Sequence, residues 1–221
     1  MGLYKKISMK NSLMLVCVLL FSIAVMNLRS GNLPKVIKGV APSVVTIEVV
    51  GEYGETWLGS GVIVHEHGLI LTAKHVIEYA DEITVILEDG REYRGVNKIV
   101  DPNNDVGIVQ IALLEDLPII TLGGDVQIGE QVFIVGSPFE LCNSVAVGIV
   151  SAEGRYIPMF GEDGMLQLDI AGNPGNSGSG VFNMSGEIVG MLVGGSTYGD
   201  GVCFAISVEA CRELLEEYIN E

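Results

Sequence analysis

From Ser43 onward the chain is a succession of short apolar runs cut by turn residues: SVVTIEVV, LGSGVIV, LILT, EITVILEDG, REYRGVNKIV and VGIVQI, then QVFIVG, SVAVGIVS, MLQLDI, SGVFN, EIVGMLVGG and GVCFAI. These read as about twelve β-strands at the spacing of roughly 8 to 12 residues found in sandwiches and barrels. In LEDGREY (87–93) the Asp89-Gly90 pair stands between alternating flanks and predicts a hairpin, and Gly199-Asp200-Gly201 predicts another turn. The runs divide around LLEDLPIITLGGD (113–125), where acidic, Pro and Gly residues interrupt the pattern and leave about six strands on either side. The predicted all-β architecture is therefore two six-stranded antiparallel barrels packed together, the first over about 40–118 and the second over about 119–207. Helical signal is confined to the end, where Ser207 is a candidate N-cap, Glu209 sits in the first turn, and Val208, Cys211, Leu215 and Tyr218 share one face. A closing helix over about 208–220 follows.

Ahead of the strands lies a different pattern. Residues 11–28 are nearly all apolar, long enough to cross a bilayer as a helix, and preceded by Lys5, Lys6 and Lys10. Residues 1–33 thus read as a signal anchor or signal peptide and 34–221 as a separate domain. Ser22 and Ala24 offer a small-x-small cleavage site, but the apolar run continues through Val25 and Met26, which favours an uncleaved anchor with the domain outside the cytoplasm; cleavage would make it secreted.

Composition narrows the function classes. The 221 residues carry 12 Lys+Arg against 28 Asp+Glu, a net charge of −16, which argues against a nucleic-acid binder held by phosphate neutralisation. The first 33 residues hold four of the basic side chains and no acidic one, leaving eight basic against 28 acidic residues, or −20, from Pro34 onward. A hydrophobic share of 48% excludes a disordered chain, and 29 glycines without a collagen period mean many tight turns. Cys142, Cys203 and Cys211 lack metal-like spacing and read as buried thiols.

Candidate chemistry rests on few residues. Of the three histidines, His65 and His67 lie in HEHG, a hairpin tip between two apolar runs, and no metal site is expected there. His75 follows LILTA at a strand end, which suits either a core histidine or a general base facing a cleft. Ser177 in AGNPGNSGSGVF is flanked by Gly175, Gly178 and Gly180. That density fits a plain turn, and it also lets consecutive N–H groups converge on one point, as acyl transfer requires. In that second case Gly175 and Ser177 supply the oxyanion donors. Asp105 in VDPNNDVGIVQIA precedes an apolar strand, where a carboxylate can accept an imidazole N–H. The order His75, Asp105, Ser177 is one of the known chain orders of a catalytic triad, each member at the edge of a β-run.

On these residues the chain from about 34 to 219 resembles the trypsin-like serine proteases of the HtrA (Deg) type. The matching segments are GSGVIV (59–64), LTAKHVI (71–77), ADEITVILEDGREY (80–93), DPNNDVGIVQI (101–111), GSPFELCNSVAVGIVSAEGR (136–155), LDIAGNPGNSGSGVFN (168–183) and GVCFAIS (201–207). The resemblance implies a trypsin-like double barrel with His75 as general base, Asp105 as its orienting acid, Ser177 as nucleophile and Gly175 with Ser177 as the oxyanion hole. It also implies a specificity pocket floored near Ala171 and walled by Leu192, Val193, Gly194 and Gly195, with no acid at its floor. Small or medium aliphatic residues are then expected before the scissile bond, and Arg or Lys is not. The same strand edge would pair with extended substrate. Two departures stand out: Ser179 where the family usually has a second glycine, and Ala73-Lys74 in place of a common Asn pair. No PDZ domain occurs in the sequence, so regulation by that route is not expected. The loop 155–165 is the expected seat of activation control, and a homotrimer is the assembly the resemblance suggests.

The expectation is a membrane-tethered serine endopeptidase without metal or organic cofactor that cleaves unfolded or misfolded polypeptide through an acyl-enzyme. The rival is a catalytically inactive protease-like module that binds peptides by strand addition, motivated by Ser179, Lys74 and the stripped-down architecture.

Overall fold

The computed structural model describes residues 33–112, 117–141, 143–158, 160, 162–196 and 201–220. Within 34–221 the strands close into two barrels. The first is built from β1 (Val44–Gly51), β2 (Thr56–His65), β3 (Leu69–Thr72), β4 (Ala80–Ile86), β5 (Glu92–Val100) and β6 (Gly107–Ile111), in the closed order β1-β2-β3-β6-β5-β4. The second repeats that order with β7 (Gln131–Gly136), β8 (Ser144–Ile157), β9 (Glu162–Asp169), β10 (Gly180–Asn183), β11 (Ile188–Gly195) and β12 (Val202–Ser207), as β10-β11-β12-β9-β8-β7. Every ladder is antiparallel. The double barrel predicted from the strand runs is therefore what forms, and the 87–93 hairpin joins β4 to β5 with Gly90 at φ 83°.

Alternation explains the cores. Val45, Ile47 and Val49 point into barrel one beside Ile63, Ile70 and Val109, while Val132, Ile134, Val150, Leu168 and Val181 fill barrel two. The intervening residues face outward. On β7 and β10 those are Phe133 and Phe182, both fully buried and stacked with centroids 5.3 Å apart. The Phe182 ring flanks Gly180 together with Val62 of β2, so the aromatic pair lies where the barrels meet.

Two elements differ from the sequence reading. A short helix, α1 (Leu33–Val40), precedes β1 where none was predicted; Pro34 pre-sets its first turn, and Val36 and Val40 pack near Gly186. Most of the segment 155–165 is strand: Arg155 pairs with Met165 and Ile157 with Glu162, because irregular register shifts let β8 and β9 continue past the barrel wall. A single turn, α2 (Lys74–Ile77), follows β3. The closing helix α3 (Val208–Asn220) buries Val208, Cys211 and Leu215 as expected and Leu214 in addition. Tyr218 is half-buried and its hydroxyl donates to Gln110 Oε1 at 2.9 Å, while Arg212 donates to the Gly123 carbonyl at 2.6 Å. Cys203 and Cys211 are free and buried, and burial pushes the Cys211 thiol up to about 12. Among the described residues no helix is long and apolar enough to cross a membrane; the stretch 11–28, Cys17, Cys142 and most of the 199–201 turn lie outside them.

Phe182→Ala, which removes one of two stacked rings between the barrels, is expected to lower unfolding free energy by about 3–5 kcal/mol in urea titration. A loss below about 1 kcal/mol would mean that the ring does not hold the barrels together.

Candidate active site

The turn that carries His75 is anchored on three sides. Ala73 leaves β3 in extended conformation and α2 winds from Lys74. The Trp57 indole N–H donates to the Val76 carbonyl at 2.8 Å. Lys98, from β5, donates to the carbonyls of Ile77 at 3.0 Å, Glu78 at 2.9 Å and Ala80 at 2.6 Å, where the turn ends and its carbonyls lack helical partners. The third anchor is Asp105. Its loop is shaped by the buried Asp101, whose Oδ1 accepts the N–H groups of Asn103 at 2.6 Å and Asn104 at 2.9 Å. Asp105 Oδ1 accepts the His75 backbone N–H at 2.8 Å and Oδ2 meets the ring Nδ1 at 2.6 Å. The carboxylate side chain is 14% exposed and the imidazole 47%, so the acid is sheltered while the ring stays open to a reactant. An ionised carboxylate only accepts, which puts the ring proton on Nδ1 and leaves Nε2 as the basic nitrogen.

Ser177 sits on the other barrel, in the turn 173–179 between β9 and β10. Asn176 N–H donates to Asn173 O at 3.0 Å and Ser179 N–H to Asn176 O at 2.9 Å, folding the turn on itself. Gly178 N–H donates to Leu192 O at 2.8 Å and Leu192 N–H to Ser179 O at 2.9 Å, fixing it to β11. Gly178 has φ 83°, and a Cβ there would overlap Ser60 O and Thr72 Oγ1 and lie 2.9 Å from Ala73 N. Only a glycine lets this backbone rest on the segment that leads to His75.

Ser60 of β2 joins the two halves. Its N–H donates to Ser177 O at 2.8 Å, its hydroxyl donates to Gly175 O at 2.7 Å and accepts from Ser137 N–H at 3.1 Å, and its carbonyl accepts from Thr72 Oγ1 at 2.7 Å. The Ser137 hydroxyl in turn bonds that of Thr46. With the carbonyls of Gly175 and Ser177 held by Ser60, their N–H groups remain without a protein acceptor among the described residues. Gly175 takes φ 98°, a left-handed backbone that fits the sharp bend there.

His75 and Asp105 are in contact, but the Ser177 hydroxyl donates to Val193 O at 2.9 Å rather than to the imidazole. Val193 is free to accept because the β11–β12 register shifts between Leu192 and Gly194, leaving it out of the ladder. The residues expected to bind substrate separate into two groups. Leu192 is buried in the barrel-two core, both its backbone groups are taken by the turn 173–179, and its side chain reaches the space above Gly172. Val193, Gly194 and Gly195 run past the end of β10, which gives them one unpaired edge among the described strands. Ala171 is exposed, and behind its neighbour Gly172 stands the Cys203 thiol, which a Cβ at Gly172 would strike. Phe160 lies against Gly194 and edge-on to Phe204, with centroids 6.0 Å apart. Ser179 is wholly buried; its hydroxyl and Asn176 Oδ1, neither with a partner among the described residues, both face the bare Cα of Gly136. Sequence reading missed Ser60, Trp57, Lys98 and Ser137, and it read Cys203 as a buried thiol without placing it behind Gly172. The GSG run around Ser60 was the one visible signal.

Comparison with known proteins decides the family. Residues 59–191 match the model of the trypsin-like peptidase domain. The chain belongs to the trypsin-like peptidase domain family. Relatives of this trypsin-like domain include a probable periplasmic serine endoprotease, DegP-like, from Halomonas elongata, 39% identical over 169 residues that cover 74% of this chain and 35% of the relative. Human serine protease HTRA4 is 37% identical over 195 residues, covering 83% of this chain and 40% of that protein. Among solved structures, the HtrA-type protease AlgW with tripeptide superposes with a TM-score of 0.78 at 32% identity, covering 85% of this chain and 64% of that one. The chain thus spans about a third to two fifths of the length of these two curated relatives.

For a trypsin-like domain whose two halves meet at a bare backbone, Gly178→Ala is the sharpest probe of the junction. It is expected to cost at least about 1–3 kcal/mol in stability, seen as a lower melting temperature, since it adds strain at φ 83° to overlap with Ser60. An unchanged melting temperature would contradict the contact.

Proposed function

We propose that the chain is a serine endopeptidase of the HtrA/DegP type that cleaves unfolded or extended polypeptide through an acyl-enzyme on Ser177. The observation that carries this reading is the His75–Asp105 pair, bonded at 2.6 Å with a sheltered carboxylate and an open ring, across the junction from Ser177. Substrate would add as a strand to the free edge of Val193–Gly195, its backbone N–H competing for the Val193 carbonyl. That exchange would release the Ser177 hydroxyl to turn toward His75 Nε2. Nε2 then takes the hydroxyl proton as the oxygen attacks the scissile carbonyl, and Asp105 holds the resulting imidazolium. The N–H groups of Gly175 and Ser177 receive the developing oxyanion, each donor contributing about 2.7–4 kcal/mol in comparable sites. His75 returns the proton to the leaving amine, and water repeats the sequence to free the acyl group.

The side chain before the scissile bond would enter beside Ala171 and Gly172, above the Cys203 thiol. No carboxylate borders that floor among these residues, so small or medium aliphatic side chains are favoured. The apolar stretch 11–28 is read as an anchor that holds the domain outside the cytoplasm, in keeping with the periplasmic setting named for several relatives, and a homotrimer is the proposed assembly.

One observation favours a second reading. The Ser177 hydroxyl resting on Val193 suits a catalytically inactive module that binds extended peptide at the same edge.

The protein is expected to degrade unfolded casein. Ser177→Ala should lower kcat by roughly four to six orders of magnitude, and Asp105→Asn by about four, without loss of fold. Peptide binding without turnover, or equal turnover in Ser177→Ala, would favour the inactive module. Mass spectrometry of the fragments should place cleavage after small aliphatic residues; cleavage mainly after Arg or Lys would contradict the pocket assignment.

A further inference from the structure

A cavity of about 630 Å³ lies beside the nucleophile turn, lined by Glu48, Trp57, Leu58, Phe139, Pro174 and Gly175 among others. It touches Gly175, the first proposed oxyanion donor, but no residue of Val193–Gly195, the proposed seat of the chain preceding the scissile bond. It is therefore separate from that edge, and we assign it to the half of the substrate that leaves. Two of its walls are anchored by hydrogen bonds. The Trp57 indole is bonded to Val76 O at 2.8 Å, and Phe139, 63% exposed with φ 51°, is tied over the turn by its N–H to Pro174 O at 3.2 Å.

The cavity holds one carboxylate. Val45, Ile47 and Val49 of β1 point into the barrel, so Glu48 points out and into the cavity. Among the described residues no Lys, Arg or His pairs with it. Apolar walls of Trp57, Leu58, Phe139 and Pro174 around a lone carboxylate match a side chain with a methylene stem and a cationic head. We propose that this cavity is the subsite for a Lys or Arg one or two residues after the scissile bond, with Glu48 its specificity-determining residue. The assignment of sides rests on the endopeptidase reading; the ligand chemistry of the cavity does not.

Trp57 is the single tryptophan of the chain and lines the cavity, so its emission reports occupancy without catalysis. The test titrates the full chain with Ala-Lys-Ala-Ala and Ala-Ala-Ala-Ala amides while Trp57 fluorescence is followed. In parallel, quenched peptides identical up to the scissile bond carry Lys, Ala or Glu in the two positions after it. Lys is expected to exceed Ala by about three- to fivefold in both affinity and kcat/KM at low salt, with Glu below Ala and the gap shrinking as salt rises. Glu48→Gln should bring the Lys to Ala ratio near one and Glu48→Lys should reverse it, while Glu153→Gln on barrel two keeps the wild-type ratio. Equal ratios in the wild type overturn the proposal, as does a Lys preference that survives Glu48→Gln, which would assign it to the general acidity of the domain. Lys-selective Trp57 titration with no cleavage of any peptide would sink the endopeptidase reading and leave the cation-binding cavity standing. Cleavage without Lys selectivity would do the reverse.

Discussion

The site depends on one close approach: the backbone of Gly178 lying directly on Ser60, Thr72 and Ala73. His75 and Asp105 belong to barrel one and Ser177 to barrel two, so their alignment is set by how the barrels meet rather than by either alone. A side chain at 178 would push the loops apart, and displacement of about 1 Å in such a constellation is enough to cost about two orders of magnitude in rate. Ser60 turns that contact into a defined one. It bonds Gly175 and Ser177 of one barrel and Thr72 of the other, so a single residue sets the orientation of the turn.

The two barrels contribute different degrees of order to the chemistry. On barrel one the histidine turn is tied by Trp57, Lys98 and Asp105, and Asp105 also holds the His75 ring. On barrel two the turn 173–179 is braced, and the Ser177 hydroxyl donates to the Val193 carbonyl, which the bulge in β11 leaves out of the ladder. Buried oxygens of Asn176 and Ser179 in the same turn have no partner among the described residues, each a cost of about 1–3 kcal/mol in comparable settings. The open edge beyond β10 and the cavity lined by Glu48 share no residue, and of the two only the cavity is lined by Gly175.

The fold was legible because strand pairing is a local, periodic signal: alternating apolar runs and turn residues such as Asp89-Gly90 marked the strands, and the interruption at 113–125 divided the barrels. The His75–Asp105 contact was legible because both residues flank apolar runs with distinct chemical types, whereas the bond from the Ser177 hydroxyl to Val193 was not. Ser60, Trp57 and Lys98 were not, since their roles come from hydrogen bonds to partners 12 or more residues away, which periodicity does not encode. Leu192 serves the barrel-two core and also reaches the space above Gly172, while its neighbour Val193 offers a carbonyl, a division of labour within one strand that periodicity does not show. The short helix α1 escaped because eight residues with Pro near the start and Gly near the end give too little period to read.

The central claim is that the His75–Asp105 pair activates Ser177 across the barrel junction. Its most direct test is reaction of the intact protein with a fluorophosphonate, followed by peptide mapping in the mass spectrometer. A single covalent adduct on Ser177 is expected, whereas no adduct, or an adduct on any other residue, would contradict the claim.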